Sequence, residues 1–550
     1  MKQIGIILST IATILFSVGC NTQVQEKQFL RTNGQNIVDG NGNKIMLRGV
    51  GLGNWLLPEG YMWKFGKEGD RPRKIEKIVS DLIGAEKAAE FWQQFRKYYI
   101  TEADIARIAE LGFNSVRPAL NARLFLTEGD DAQFIEESFV LIDSLVSWCE
   151  KHNLYVIIDM HGAPGGQTGA NIDDSPANEP ELFMDVRNQD RLVDLWVKIA
   201  KRYSDNPTVA AYDLLNEPLP HNTGAAEKYA HQVEPLYRRI TAAIRAVDTN
   251  HMITLEGVNW SNDWSIFGKP FDDNVFYQFH YYCWNRPDNL NDISHYINMR
   301  DTLNTPIWVG ETGEKGNAIY WATTQYFEAN NIGWSFWPWK KMDTRNTPYS
   351  ISRPADWDQI AAYSRGGEDA AEKPAADVAQ RAFDELIENI KLQNCVYFPD
   401  VVNSILRRAP VKIEAENYGH AGYGVSYSVT DTSQRAAVYR VNEPVQIALI
   451  EHREDYHLSQ QGVVLKEDEW VRYSFGNTGL TSAKIVLKAK STGENATIDV
   501  SLNGNSESLN VGNDWQELPI SLSKLAAGEN ALKLAVTSGE IWVDWISVGE

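Results

Sequence analysis

Residues 209–218 read VAAYDLLNEP, a short apolar run that ends abruptly in Asn216, Glu217 and Pro218. Residues 306–313, PIWVGETG, repeat the plan: an apolar β-rich run that delivers Glu311 at its end. Runs of this kind alternate with longer amphipathic stretches from Leu30 to Asn394, which is the pattern of βα units. Strands are expected at 45–52, 114–118, 155–161, 209–216, 251–257, 275–282, 306–311 and 332–339. Residues 135–151 and 191–203 carry apolar side chains at helical spacing and fill two of the gaps. Eight such units predict an α/β chain with a (β/α)8 barrel over 30–394, in which chemistry belongs at the C-terminal ends of the strands. An acidic, alanine-rich run at 366–376 reads as a solvated loop before a last helix at 378–392.

Beyond Asn394 the texture changes. Pro399 and Pro410 bracket a short connector, 395–411. From 412 to 550 short alternating runs (470–475, 483–489, 496–502, 531–536, 541–548) are broken by Gly, Asn and Ser turns, which predicts an all-β sandwich (jelly-roll) module. At the other end, residues 1–20 hold one Lys, an apolar run and small residues before Cys20, a secretory signal peptide. Ser17-Val18-Gly19-Cys20 resembles a bacterial lipobox. That resemblance implies lipidation of Cys20, a cell-envelope or extracellular location, and membrane contact only through the lipid anchor. Cys149, Cys283 and Cys395 remain, an odd number without CxxC spacing, so neither a disulfide framework nor a zinc site is expected.

Charge narrows the partners. Lys and Arg number 52 against 73 Asp and Glu, a net −21 that repels phosphate backbones, so no nucleic-acid partner is expected. Eighteen Trp and 23 Tyr supply flat faces suited to the CH surfaces of sugar rings. HExxH, GxSxG and HxH patterns are absent. Gly49-Val50-Gly51-Leu52-Gly53 lacks the helix and the acidic residue of a dinucleotide loop. Two carboxylates capping separate barrel strands, Glu217 and Glu311, are the equipment for glycosidic bond cleavage: one protonates the leaving oxygen, the other attacks or activates water.

Six ordered motifs then make the barrel resemble glycoside hydrolase family 5, of the clan with catalytic glutamates after strands 4 and 7. They are Leu47-Arg48-Gly49-Val50, Phe113-Asn114-Ser115-Val116-Arg117, Asp159-Met160-His161-Gly162, Asn216-Glu217-Pro218, His280-Tyr281-Tyr282 with Gly310-Glu311, and Trp334-Ser335-Phe336-Trp337. The resemblance implies Glu217 as general acid/base with a raised pKa and Glu311 as nucleophile, kept ionised by Arg117 and Tyr282. It implies Asn216 at the sugar 2-hydroxyl, His161 and His280 as positioning groups, and Trp337 under the sugar. Glu256 and Glu314 read as supporting or rim residues. LRGVGLGNWLLPEGYMW and DMHGAPGGQTG are similar to the exo-β-glucanase branch, which implies subsites lined by Trp55, Trp63, Asn259 and Trp260. Pro58-Glu59-Gly60 and the Asp173-Asp174 loop depart from that branch. The implied substrate is a β-linked polysaccharide or oligosaccharide, with β-glucan ahead of mannan and xylan, and no cofactor for catalysis.

The end module resembles carbohydrate-binding module family 6 through Ile413-Glu414-Ala415-Glu416-Asn417-Tyr418 and Ile541-Trp542-Val543-Asp544-Trp545-Ile546. That implies a structural calcium on Glu414, Glu416 and Asp544. Tyr439 and Trp515 are the candidate sugar-stacking residues. The leading expectation is a retaining β-glycoside hydrolase. A non-catalytic surface glycan-binding lipoprotein and a transglycosylase using the same glutamates are the alternatives.

Overall fold

A computed structural model describes residues 27–283, 290, 292–367, 371–436, 439–451, 460–493 and 496–549. The signal segment with Cys20 lies outside them. Eight parallel strands, β1 (Arg48–Leu56), β2 (Ser115–Asn121), β3 (Tyr155–Gly162), β4 (Val209–Asp213), β5 (Met252–Glu256), β6 (Val275–Tyr281), β7 (Ile307–Gly313) and β8 (Gly333–Trp337), close into a barrel. β8 pairs with β1 to complete it, Trp334 opposite Arg48 and Phe336 opposite Val50. Nearly every strand residue is buried, as a parallel sheet jacketed by helices requires. The helix Val186–Tyr203 shows how the jacket forms: Leu192, Leu195, Trp196 and Ile199 share one face and are buried. A hairpin, Arg31–Asn33 with Asn36–Val38, precedes β1, and Leu30 and Ile37 beside it join Leu47, Ile157 and Trp308 in a separate apolar cluster.

All eight expected strands form, with one instructive difference at β4. It stops at Asp213, so Asn216 and Glu217 sit in the turn beyond it, and Glu217 takes a left-handed φ of 43°. The acidic side chain is thereby thrown over the barrel mouth instead of continuing the alternation of a strand. Non-glycine residues in this region cost roughly 1–2 kcal/mol and concentrate at functional sites.

Residues 395–411 do more than connect. Val396–Tyr397 adds a strand to Tyr349–Ile351, and a helix, Pro399–Ile405, buries Val401, Val402 and Ile405 in the barrel's own core. Arg407 then meets Glu328 of the helix Asn317–Ala329, a carboxylate that Arg48 of β1 also holds.

The module is two stacked antiparallel sheets. One runs β11 (Gln446–Glu451), β12 (Gln460–Lys466), β19 (Glu540–Gly549), β14 (Lys484–Ser491) and β17 (Gln516–Ile520), with β9 (Val411–Glu414) also on β19. The other runs β10 (Tyr427–Ser428), β13 (Trp470–Asn477), β18 (Gly528–Ser538), β15 (Ala496–Leu502) and β16 (Asn505–Val511). Strict in-out alternation, as along β15, gives each sheet one apolar face, and the two faces enclose a core of their own.

Candidate active site

Arg117 organises the barrel mouth. It projects inward from β2, is fully buried, and its guanidinium is surrounded by acceptors from four other strands or the turns after them. Nε donates to Asp213 (2.8 Å), Nη1 to Glu311 (2.7 Å), and Nη2 to Asn216 (2.8 Å) and Glu256 (3.1 Å); Asp159 lies 3.3 Å away. An ammonium could not make this many directed contacts, whereas the planar fork can. Tyr282 donates to the other oxygen of Glu311 at 2.9 Å. His280 Nδ1 lies 2.6 Å from Glu217 and 3.5 Å from Glu311, and its Nε2 is 3.3 Å from Glu256. Glu256 also accepts the Glu217 backbone N–H at 2.7 Å, pinning the turn that carries that side chain.

His161 stacks flat on Trp337, ring centres 5.2 Å apart at 6°. Its Nδ1 faces Asp159 at 2.8 Å; with the proton there, Nε2 is left to accept the Asn216 amide 3.4 Å away. Gln167 ties the same turn down, donating to the carbonyls of His161 and Asn216. The Trp337 indole lies against Gly51 and Gly53, where a Cβ would come within 2.2 Å and 2.5 Å of it. The glycine run of β1 is therefore a bed for an indole.

Five carboxyl groups (Asp159, Asp213, Glu217, Glu256, Glu311) face two cations, Arg117 and His280, with little or no exposure to water. A buried site cannot carry the excess charge, so protons must settle among the carboxyls. Burial pushes Asp159 up to about 7 and Asp213 well above the carboxylate range, in both cases against the pull of Arg117. For Glu256, His280 and Arg117 outweigh burial and hold the group below its usual range. Burial alone would strip the proton from His280, but Glu256, Glu311 and Glu217 raise it well above an ordinary imidazole. Burial drives His161 the other way, down to about 4. Glu311 is pushed upward by burial, against His280 and Arg117. The expected donors to Glu311 are in place, but they do not offset its desolvation. Glu217, His280 and Glu311 each offer an atom within 4.8 Å of the others, a spacing a metal ion could use. A protonated His280, however, has no lone pair to give.

A cleft of about 510 Å³ opens above, lined by Glu59, Tyr61, Glu217, Trp260, Glu311 and Trp337 among others. Arg117, His161, Asn216, Glu217, His280, Tyr282, Glu311 and Trp337 thus converge, and Trp260 reaches the cleft. Three expected subsite residues do not. Trp55 is buried against the helix Ala85–Tyr99 with its N–H on the Arg96 carbonyl, and Trp63 is locked among Phe91, Trp92, Phe95 and Trp357. Asn259 serves as a loop tie, its amide N–H on the Leu219 carbonyl and its side chain accepting from His221. Glu314 pairs with Lys341 near the rim. Sequence reasoning passed over Asp159, Asp213 and Gln167, although all three stand inside quoted stretches. It also read Glu59 only as a departure; burial pushes that carboxyl well up, and one of its oxygens has no hydrogen-bond partner.

In the module, Tyr439 is a core residue whose hydroxyl donates to Asn417, so it cannot stack on a sugar. Trp515 is half-exposed, as stacking requires. The proposed calcium carboxylates do not gather: among the described residues the Glu217 group is the one cluster of suitable spacing. Glu414 is paired with Lys412 and Asp544 with Lys488 (2.9 Å), so lysines already supply the neutralising charge, while Glu416 is buried toward Tyr439 and Tyr473.

Known proteins resemble parts of this chain. A β-xylosidase of Phanerodontia chrysosporium is 33% identical over 257 residues, 46% of this chain and 52% of its own length. Endoglucanase C of Acetivibrio thermocellus is 31% identical over 186 residues, 34% of this chain and 50% of its own length. The chain thus spans about half the length of these two relatives. A probable glucan 1,3-β-glucosidase A of Emericella nidulans is 29% identical over 301 residues, 52% of this chain and 71% of that protein. Among solved structures, a β-glucanase from Saccharophagus degradans in complex with cellotetraose covers 66% of this chain and 94% of its own, at 17% identity and a TM-score of 0.40. Residues 79–343, which run from within the helix Pro72–Ile83 and take in β2 through β8 but not β1, match the family model for cellulase, glycosyl hydrolase family 5.

Proposed function

We propose that the barrel hydrolyses β-glycosidic bonds with retention, by a double displacement on a β-glucan. One observation carries the reading: Glu217, from the turn after β4, and Glu311, at the end of β7 across the mouth, present carboxylate oxygens within 4.8 Å of each other. Retaining enzymes hold their carboxyl groups about 5–5.5 Å apart, whereas inverting ones leave about 6.5–9.5 Å for a water molecule. In this mechanism Glu311, gripped by Arg117 and Tyr282, attacks the anomeric carbon while Glu217 passes its proton to the leaving oxygen. Glu217, once ionised, then takes a proton from the water that releases the sugar. Asn216, oriented by Arg117 and His161, would hold the 2-hydroxyl, and Trp337 the ring face. The names of the relatives, a β-xylosidase, an endoglucanase and a glucan 1,3-β-glucosidase, support a β-linked glycan as the class. The module would tether the enzyme to a glycan surface, and export with lipidation at Cys20 would place both at the cell envelope. Proton NMR of the first-formed anomer from a β-glucan oligosaccharide is the test: the β-anomer is expected, and an initial α-anomer would overturn the mechanism.

A further inference from the structure

The outer face of the module's first sheet carries an arrangement unlike anything else on the described surface. Trp542 and Trp545 of β19 and Trp515 at the head of β17 are all half-buried there. Lys488 and Lys490, two residues apart on β14 and so on one face, project between them. The register sets Lys490 opposite Trp542 and Lys488 opposite Trp545. The Lys490 ammonium lies 4.9 Å from the Trp542 ring centre and 5.1 Å from that of Trp515; Lys488 lies 5.9 Å from both Trp515 and Trp545. The result is a trough with a cationic floor and indole walls.

Three of the four carboxylates nearest these residues are already engaged. Asp544 holds Lys488, Glu517 stands across from it, Glu414 holds Lys412, and Glu540 accepts from Trp542 and Thr492. Lys490 has no ion-pair partner among the described residues, although a carboxylate would bind it readily. We propose that this trough binds a β-linked glycan bearing uronate carboxylates, with sugar rings packed on Trp515 and Trp542 and a carboxylate on Lys490. A neutral chain would have to lift the ammonium off both indoles before it could stack. An acidic sugar takes the ammonium where it stands, and the charge-assisted bond adds to the packing of CH against indole. The chain's net −21 opposes a polyanion only weakly at contact, because charges more than roughly 8 Å away are screened at physiological ionic strength. The inference is independent of the barrel's chemistry.

The test uses the full chain and two soluble polymers of one linkage, β-1,4-polyglucuronate and hydroxyethylcellulose, in isothermal titration. Polyglucuronate should bind, and binding should weaken as salt rises from roughly 50 to 500 mM. Lys490→Met and Trp542→Ala should each weaken it about tenfold, with circular dichroism unchanged. Lys490→Met guards against misfolding, since its side chain leaves the module core untouched. No binding, equal binding of hydroxyethylcellulose, or full affinity in Lys490→Met would overturn the proposal.

Discussion

The barrel mouth and the outer face of the module both set cations beside carboxylates, and they do so in opposite ways. Arg117 is fully buried and donates hydrogen bonds to, or closely contacts, five side chains on other strands and turns. Lys488, 29% exposed, has one carboxylate partner and two indoles. In the first place every charge depends on every other, because water cannot replace a missing partner; in the second, water can. Mutations should therefore be severe and non-additive at the mouth and mild and local on the sheet face.

The largest effect expected is on turnover. Glu311→Gln and Glu217→Gln should each lower kcat by about three orders of magnitude, since each removes a group that acts on the reacting atoms. Melting temperature should barely fall, or should rise, because one carboxyl of an overcrowded acidic cluster has become neutral. In the unmodified protein the upward push on Glu311 should place the acid limb of the kcat/KM profile above 4.5. An acid limb at or below that value would mean that Arg117 and Tyr282 dominate over burial.

Arg117→Met comes next and should act on stability as much as on rate. It leaves Asp159, Asp213, Glu256 and Glu311 without their common donor, and breaking a buried ionic network costs about 3–5 kcal/mol. Lys488→Met on the module should cost at most about 1 kcal/mol. Chemical denaturation of both variants makes the comparison directly; equal losses would show that the two regions are not electrostatically different.

A third effect lies at the junction. Glu328, 14% exposed and gripped by Arg48 and Arg407, is held down to about 2 because those two arginines outweigh its burial. Its folded-state pKa is below the ordinary 4.5, so its contribution is fully present above 4.5 and is lost as pH falls toward 2. The magnitude is about 3 kcal/mol. Glu328→Gln should lower the melting temperature at neutral pH and flatten its decline between pH 4.5 and 2.

The sequence was most legible where periodicity and motif agreed. All eight barrel strands were foreseen, because a buried parallel strand leaves an apolar run that few other structures produce. The catalytic pair and its close neighbours could be read from strand-end position together with motif order. What could not be read was which face of an irregular segment turns inward. Trp55 lies in a strand and Trp63 in a short 3-10 turn, and only the packed helices around them decide that both indoles point away from the cleft. Tyr439 failed for a similar reason: a loop tyrosine looks exposed until its hydroxyl finds a buried Asn417. The trough was missed although Trp542 and Trp545 stood in a quoted motif. Their three-residue spacing puts them on opposite faces of a regular strand, and only the register shift between Lys488 and Ala489 returns both to one side.

The smallest effect expected concerns calcium, and it sharpens the contrast from the module's side. Three carboxylates converging on a cation would be neutralised by it, and a site with micromolar affinity would gain about 4 kcal/mol at millimolar calcium. Here the neutralising charges are covalently part of the sheet: Lys412 sits on Glu414 and Lys488 on Asp544, and Glu416 turns the other way toward Tyr439 and Tyr473. A calcium ion would have to displace two ammonium groups and draw in a third carboxylate from the core before it found enough oxygens. Millimolar calcium and excess chelator should therefore give superimposable melting curves for the full chain. Lys488→Met is the sharpening variant, because it frees Asp544 without adding a ligand. A shift of several degrees with calcium in the unmodified protein would show that the lysines yield to the ion, and that this face is no more fixed by its own charges than an ordinary solvated surface.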